Sequence, residues 1–177
     1  MVDIRERVED SRGVLKKIQL LIPGFAGYRS LEDIREADNY LRIQIANMIH
    51  DSLNILQNTR KMLVDRGIYS NLSIFGSVIS KLQELEGSVR HAQQGYSGIS
   101  PAIRIGKDNL DKLYDYDYSF VSKANDLKNS VNDLYNTVLS NNLQNVYDKI
   151  QTIMKNADDF YKAFNDRMVV IQNIKVD

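Results

Sequence analysis

Two apolar rows in the second half of the chain leave little freedom in how it can fold. The first runs Leu110, Leu113, Asp117, Phe120, Ala124, Leu127, Val131, Leu134, Val138. The second runs Leu143, Val146, Ile150, Ile153, Ala157, Phe160, Phe164, Arg167, Ile171, Ile174. Both advance by alternating steps of three and four without a slip, so each lays one continuous seam along one side of a helix. Asn141-Asn142 separates them. Asparagine tolerates the left-handed conformation that lets a chain reverse. The reading is a helical hairpin that turns at 141–142.

Two positions break the apolar rule. Asp117 and Arg167 stand where the seams want hydrocarbon. With the turn at 141–142, position 117 faces about 164 on the second helix, and Arg167 lies one helical turn away, within reach of its long side chain. An Asp117–Arg167 ion pair follows, near the open end of the hairpin. Such a pair either fixes register or forms the wall of a polar pocket. Nearby, Tyr114, Tyr116 and Tyr118 alternate with Asp115 and Asp117. Positions 114 and 118 share a helix face and 116 points elsewhere.

The first half reads as three more helices. Residues 3–22 place Ile4, Val8, Leu15, Ile18 and Ile22 on one side, and Pro23-Gly24 ends that helix. Its charges nearly cancel, against the pattern of a basic membrane-surface helix. Ser30-Leu31-Glu32-Asp33 is a capping-box variant, with acids in the first turn where the helix dipole favours them. The helix it opens carries Leu31, Ile34, Ala37, Leu41, Ile45, Met48, Ile49, Leu53, Leu56 and Leu63, and runs to Gly67, a suitable C′ residue. A third helix over about 71–93 turns Phe75, Val78, Ile79, Leu82, Leu85, Val89 and Ala92 inward; Gly76 and Gly87 within it would allow a close helix–helix approach. The fourth and fifth helices span about 108–140 and 143–174.

This is an all-α chain: an antiparallel up-down bundle of four to five long helices, with residues 1–177 forming one domain. Alternating directions bring the loops at 23–29 and 94–107 to the same end. Each holds Gly-aromatic-x-Gly, as Gly24-Phe25-Ala26-Gly27 and Gly95-Tyr96-Ser97-Gly98. Such loops at helix N-termini can cradle an anion, with Arg29, Arg104 and Lys107 close by. Equally, glycine permits the tight reversal while Phe25, Tyr28 and Tyr96 plug the bundle end. The second reading is preferred.

Composition narrows the function classes. The chain has 43% apolar and 26% charged residues, net charge zero and no cysteine. Disulfide scaffolds and thiolate metal sites are excluded. Nothing marks a nucleic-acid binder. No apolar run approaches the ~20 residues of a membrane span, so neither membrane insertion nor a signal segment is expected; the expected compartment is the cytoplasm. His50 and His91 are the only histidines, without the paired Glu-x-x-His of di-iron bundles. No metal, cofactor or catalytic residue is expected, and no Walker loop or nucleophile elbow appears.

The segments Leu21-Ile22-Pro23-Gly24-Phe25-Ala26-Gly27-Tyr28, Arg35-Glu36-Ala37-Asp38 with Leu41-Arg42, Gly95-Tyr96-Ser97-Gly98 and Leu110-Asp111-Lys112-Leu113-Tyr114-Asp115-Tyr116-Asp117 together resemble a family of prokaryotic all-helical proteins. The resemblance frames much of residues 15–120 and implies no activity, cofactor or catalytic residue.

The expected function is therefore a non-enzymatic protein-interaction or scaffold module, with a protein partner or self-association, since such long seams can feed a coiled coil. The rival is a small-molecule or anion-binding protein, or an enzyme, with its site at the bundle end. Tyr28, Arg29, Arg90, Tyr96, Asp115, Asp117 and Arg167 are its candidate residues. A binding end would hold a polar pocket; a scaffold would show that end filled and an apolar strip exposed along the bundle.

Overall fold

The computed structural model describes residues 4–27, 31–92 and 107–172, with side chains described for 13–27, 36–92 and 110–171. It contains α1 (Ile4–Leu21), α2 (Leu31–Asp65), α3 (Leu72–Arg90), α4 (Lys107–Leu139) and α5 (Val146–Gln172). A single 3-10 turn, Leu143–Asn145, leads into α5. Among the described residues there is no strand. At about 1.5 Å per residue, α2 alone is roughly 50 Å long.

The two reversals that build the hairpins share one geometry. At the end of α2, the Gly67 N–H donates to the Val64 carbonyl and the Ile68 N–H to the Leu63 carbonyl, both at 2.9 Å. At the end of α4, the Asn141 N–H donates to the Val138 carbonyl at 3.1 Å and the Asn142 N–H to the Thr137 carbonyl at 3.0 Å. Gly67 has φ +73° and Asn141 φ +60°. Each is a Schellman cap with its left-handed residue at C′, where the sequence placed it.

From α2 onward successive helices alternate in direction, and α2/α3 and α4/α5 are antiparallel neighbours. Around the bundle the order is α2, α3, α5, α4; α3 and α4 stand diagonally, without contact among the described residues, while α1 lies outside against α4. On α4, α1 is held by side-chain contact, with the Lys17 ammonium 5.5 Å from the Tyr118 ring centroid. The parallel pair α2/α4 is tied at its far end, where Arg66 Nη1 donates to the Val138 carbonyl at 2.7 Å.

Both apolar rows are buried along their described lengths, only Leu110 and Leu143 at the ends being half-exposed. Phe120 stacks on Phe160 at 5.2 Å and meets Phe164 at 5.5 Å between centroids. These contacts explain why Asp- and Asn-rich helices hold. Each Asp or Asn costs up to ~0.7 kcal/mol of helix propensity against Ala. Full burial of one Phe, Leu or Ile contributes about 1.5–3 kcal/mol, so each core side chain offsets several such residues.

Two features of the middle helices depart from the sequence reading. Thr59 and Ser52 are buried on the α2 seam, their hydroxyls donating to the Ile55 and Met48 carbonyls at 2.7 and 2.9 Å. Back-bonding lets a short polar side chain occupy a core position. On α3, a Cβ built on Gly76 or Gly87 would meet nothing within 4 Å. The close approach expected there is not made, because both glycines lie off the seam of Phe75, Val78, Leu82, Leu85 and Val89.

Candidate functional site at the converging end

The ends of α1, α3 and α5 and the starts of α2 and α4 meet at one end of the bundle, and the 22–27 turn belongs to it. Gly24 and Gly27 have φ +88° and +79°. Space as well as φ demands glycine here. A Cβ at Gly24 would lie 2.8 Å from the Tyr40 hydroxyl, and one at Gly27 would lie 2.7 Å from the Tyr114 hydroxyl. Between them Phe25 is buried, its carbonyl accepting from Gln19 Nε2 at 2.9 Å, while the Tyr40 hydroxyl donates to the Pro23 carbonyl at 2.7 Å. The first Gly-aromatic-x-Gly loop thus seats its aromatic ring in the core. The second, and with it Tyr28, Arg29, Tyr96 and Arg104, lies outside the described residues.

Beneath this turn sits a network of four buried charges. Arg167 Nε donates to Asp117 Oδ1 at 2.5 Å, the ion pair expected across the α4/α5 hairpin. Arg167 Nη1 donates to Asp38 Oδ1 at 2.6 Å, across the diagonal to α2. Asp38 Oδ2 accepts from Arg42 Nε at 2.9 Å, and Arg42 Nη1 donates to the Val89 carbonyl at 3.3 Å, at the end of α3. Asp117 and Arg167 are 0% exposed, Asp38 and Arg42 3%. All four bundle helices contribute, and the charges cancel as two guanidiniums and two carboxylates. The Arg167 guanidinium also lies 5.6 Å from the Phe120 ring centroid, closing the layer against the phenylalanine cluster.

The sequence reading missed Asp38 and Arg42, although the signal was present. Asp38 stands seven residues before Ile45 and fourteen before Ser52, on the buried seam of α2; half-buried Ala37 beside it drew the apolar pattern off by one place. Arg42 follows at i+4, the spacing of a helical ion pair.

Other candidates do not join the network. Asp115 is exposed. Arg90 turns to the outer edge of α2/α3, where Nη2 donates to Glu86 Oε1 at 2.9 Å and Asn47 Oδ1 at 3.1 Å. Tyr114 is buried, Tyr118 half-buried and Tyr116 exposed, the distribution expected from their spacing. His50 Nδ1 lies 3.5 Å from Glu86 Oε1.

A cleft of about 410 Å³ opens beside the turn, lined by Gly24–Gly27 with Glu36, Ala37 and Tyr40. Among the described residues its one charged lining residue is Glu36, and none of the four network residues lines it. A second groove of about 520 Å³ lies between α2 and α4 at the far half of the bundle, with Asn58, Lys61, Asp65, Asn132 and Tyr135 among its walls. Among the described residues no group of three or more His, Cys, Asp or Glu is placed to hold a metal ion, and no helix is long and apolar enough to cross a membrane. Comparison with protein-family models, with curated proteins and with solved structures returns no match to this chain.

Proposed function

We propose that this chain is a non-enzymatic protein-interaction module of the cytoplasm, akin to the prokaryotic all-helical family whose segments it resembles. One observation carries the reading. The four described buried charges at the converging end are bound to one another, so these groups serve packing instead of facing a substrate. Phe25 fills the turn above them. By contrast, large apolar side chains stand exposed on the flanks: Leu20 at 82%, Tyr69 at 69%, Tyr147 at 51% and Tyr161 at 48%. Exposed tyrosine suits protein contact, since a rigid ring presents apolar area with a polar tip.

A thermal-shift screen against phosphate, sulfate, nucleotides and alkylamines at millimolar concentration tests this. The expected result is an unmoved melting temperature. A ligand at a hundred times its Kd adds about 2.7 kcal/mol, a rise of roughly 5–10 °C for a chain of this size. Such a rise, abolished by Glu36→Gln or Tyr40→Phe, would transfer the function to the cleft and overturn the proposal.

A further inference from the structure

Resting on that reading, the structure also points to the partner. We propose that a second copy of the chain docks on the α3–α5 face, about a two-fold axis parallel to the bundle, so that α3 of each copy lies on α5 of the other.

Tyr147, Met154, Tyr161 and Met168 repeat every seven residues along α5, the two methionines half-buried against the chain's own core and the two tyrosines standing out between them. The row runs along the side of α5 toward α3. Asp158, beside Tyr161, pairs with Lys81 of α3, whereas Lys149 and Asn156 on the opposite flank reach Asp133 and the Asp126 carbonyl of α4. Tyr147 and Tyr161 are about half-exposed and form a ridge. The adjoining outer face of α3 carries short side chains at Ser73, Ser77 and Ser80 and open space at Gly87, with Glu84 rising among them. Ridge and shallow face lie side by side on one surface, as a self-complementary contact requires.

Charge sets the level. The Lys81–Asp158 pair spans 77 positions, so α3 residues stand level with α5 residues 77 further on. Glu84 is then level with Tyr161 and Lys162. Glu84 and Lys162 are exposed, and neither has an ionic partner among the described residues. Rotation about an axis parallel to the helices preserves height and exchanges α3 for α5. Lys162 of each copy therefore meets Glu84 of the other, twice over. Exposed ion pairs contribute little affinity, so these two fix register while the tyrosine ridge supplies buried area. An isologous contact closes at two copies.

Light scattering coupled to gel filtration, with circular dichroism confirming helicity, tests the proposal. The wild type is expected at twice the 20.3 kDa of one chain. Tyr161→Glu, Glu84→Lys and Lys162→Glu should each weaken dimerisation, the first by at least about tenfold in Kd. The double variant Glu84→Lys with Lys162→Glu should recover it. A helical wild type of single-chain mass at the highest soluble concentration overturns the proposal, as does a Tyr161→Glu protein that dimerises normally. Failure of the double variant to recover excludes this docking geometry. A single-chain wild type leaves the interaction-module reading standing, because that reading falls only to a cleft-dependent ligand shift.

Discussion

Asp117 and Arg167 show how one polar residue in an apolar row acquires meaning from its neighbours. Taken alone, either would be a buried charge costing several kcal/mol. Together with Asp38 and Arg42 they form a neutral layer in which guanidiniums and carboxylates answer one another across three helices. The layer is weak evidence of net stability, because desolvation of four charges opposes their attraction. Its stronger effect is on specificity: sliding α5 by one turn against α4 or α2 would strand charges in hydrocarbon. Asp117→Leu or Arg167→Met alone should therefore cost about 3–5 kcal/mol in denaturant unfolding. Replacing all four together (Asp38→Leu, Arg42→Met, Asp117→Leu, Arg167→Met) should recover most of that loss. Single variants as stable as the wild type would contradict the pairing argument.

Among the elements, the reversals divide by what makes glycine necessary. Gly67 needs only its positive φ, since a Cβ there would meet nothing within 4 Å. Gly27 needs φ and space, with the Tyr114 hydroxyl against it. Gly67→Ala should cost roughly 1–2 kcal/mol, the penalty of a left-handed L-residue. Gly27→Ala should cost more, and Tyr114→Phe in the same chain should return only the part due to the clash. Chemical denaturation of the four proteins separates the two contributions. Equal losses at Gly67 and Gly27, unaffected by Tyr114→Phe, would show that crowding plays no part.

At the scale of the molecule, α4 is the hub: it touches α1, α2 and α5, whereas among the described residues α1 packs on α4 and on no other helix. Local opening follows the number of surfaces that must separate. Backbone amides in the middle of α4, about 117–134, should exchange slowest with solvent, and those of α1 should exchange markedly faster, by mass spectrometry or NMR. Protection of α1 equal to that of α4 would show that α1 opens only with the whole bundle.

Helix identity, the two Schellman turns, both buried seams of the last hairpin and the Asp117–Arg167 pair were legible in the residues. All depend on spacing within one helix or across a short antiparallel turn, where sequence separation dictates distance. The inward seat of Phe25 was foreseen for a similar reason, since a tight glycine turn leaves its aromatic ring only the bundle end to fill. The diagonal placement of α3 and α4 was beyond reach, because no local periodicity specifies which hairpin face meets which. The same holds for the extension of the ion pair to Asp38 and Arg42. Sequence supplied each helix with its apolar side and its polar exceptions. Only the packing of one hairpin on the other decided which exceptions would meet, because a buried charge selects its partner by proximity across the core and not by position along the chain.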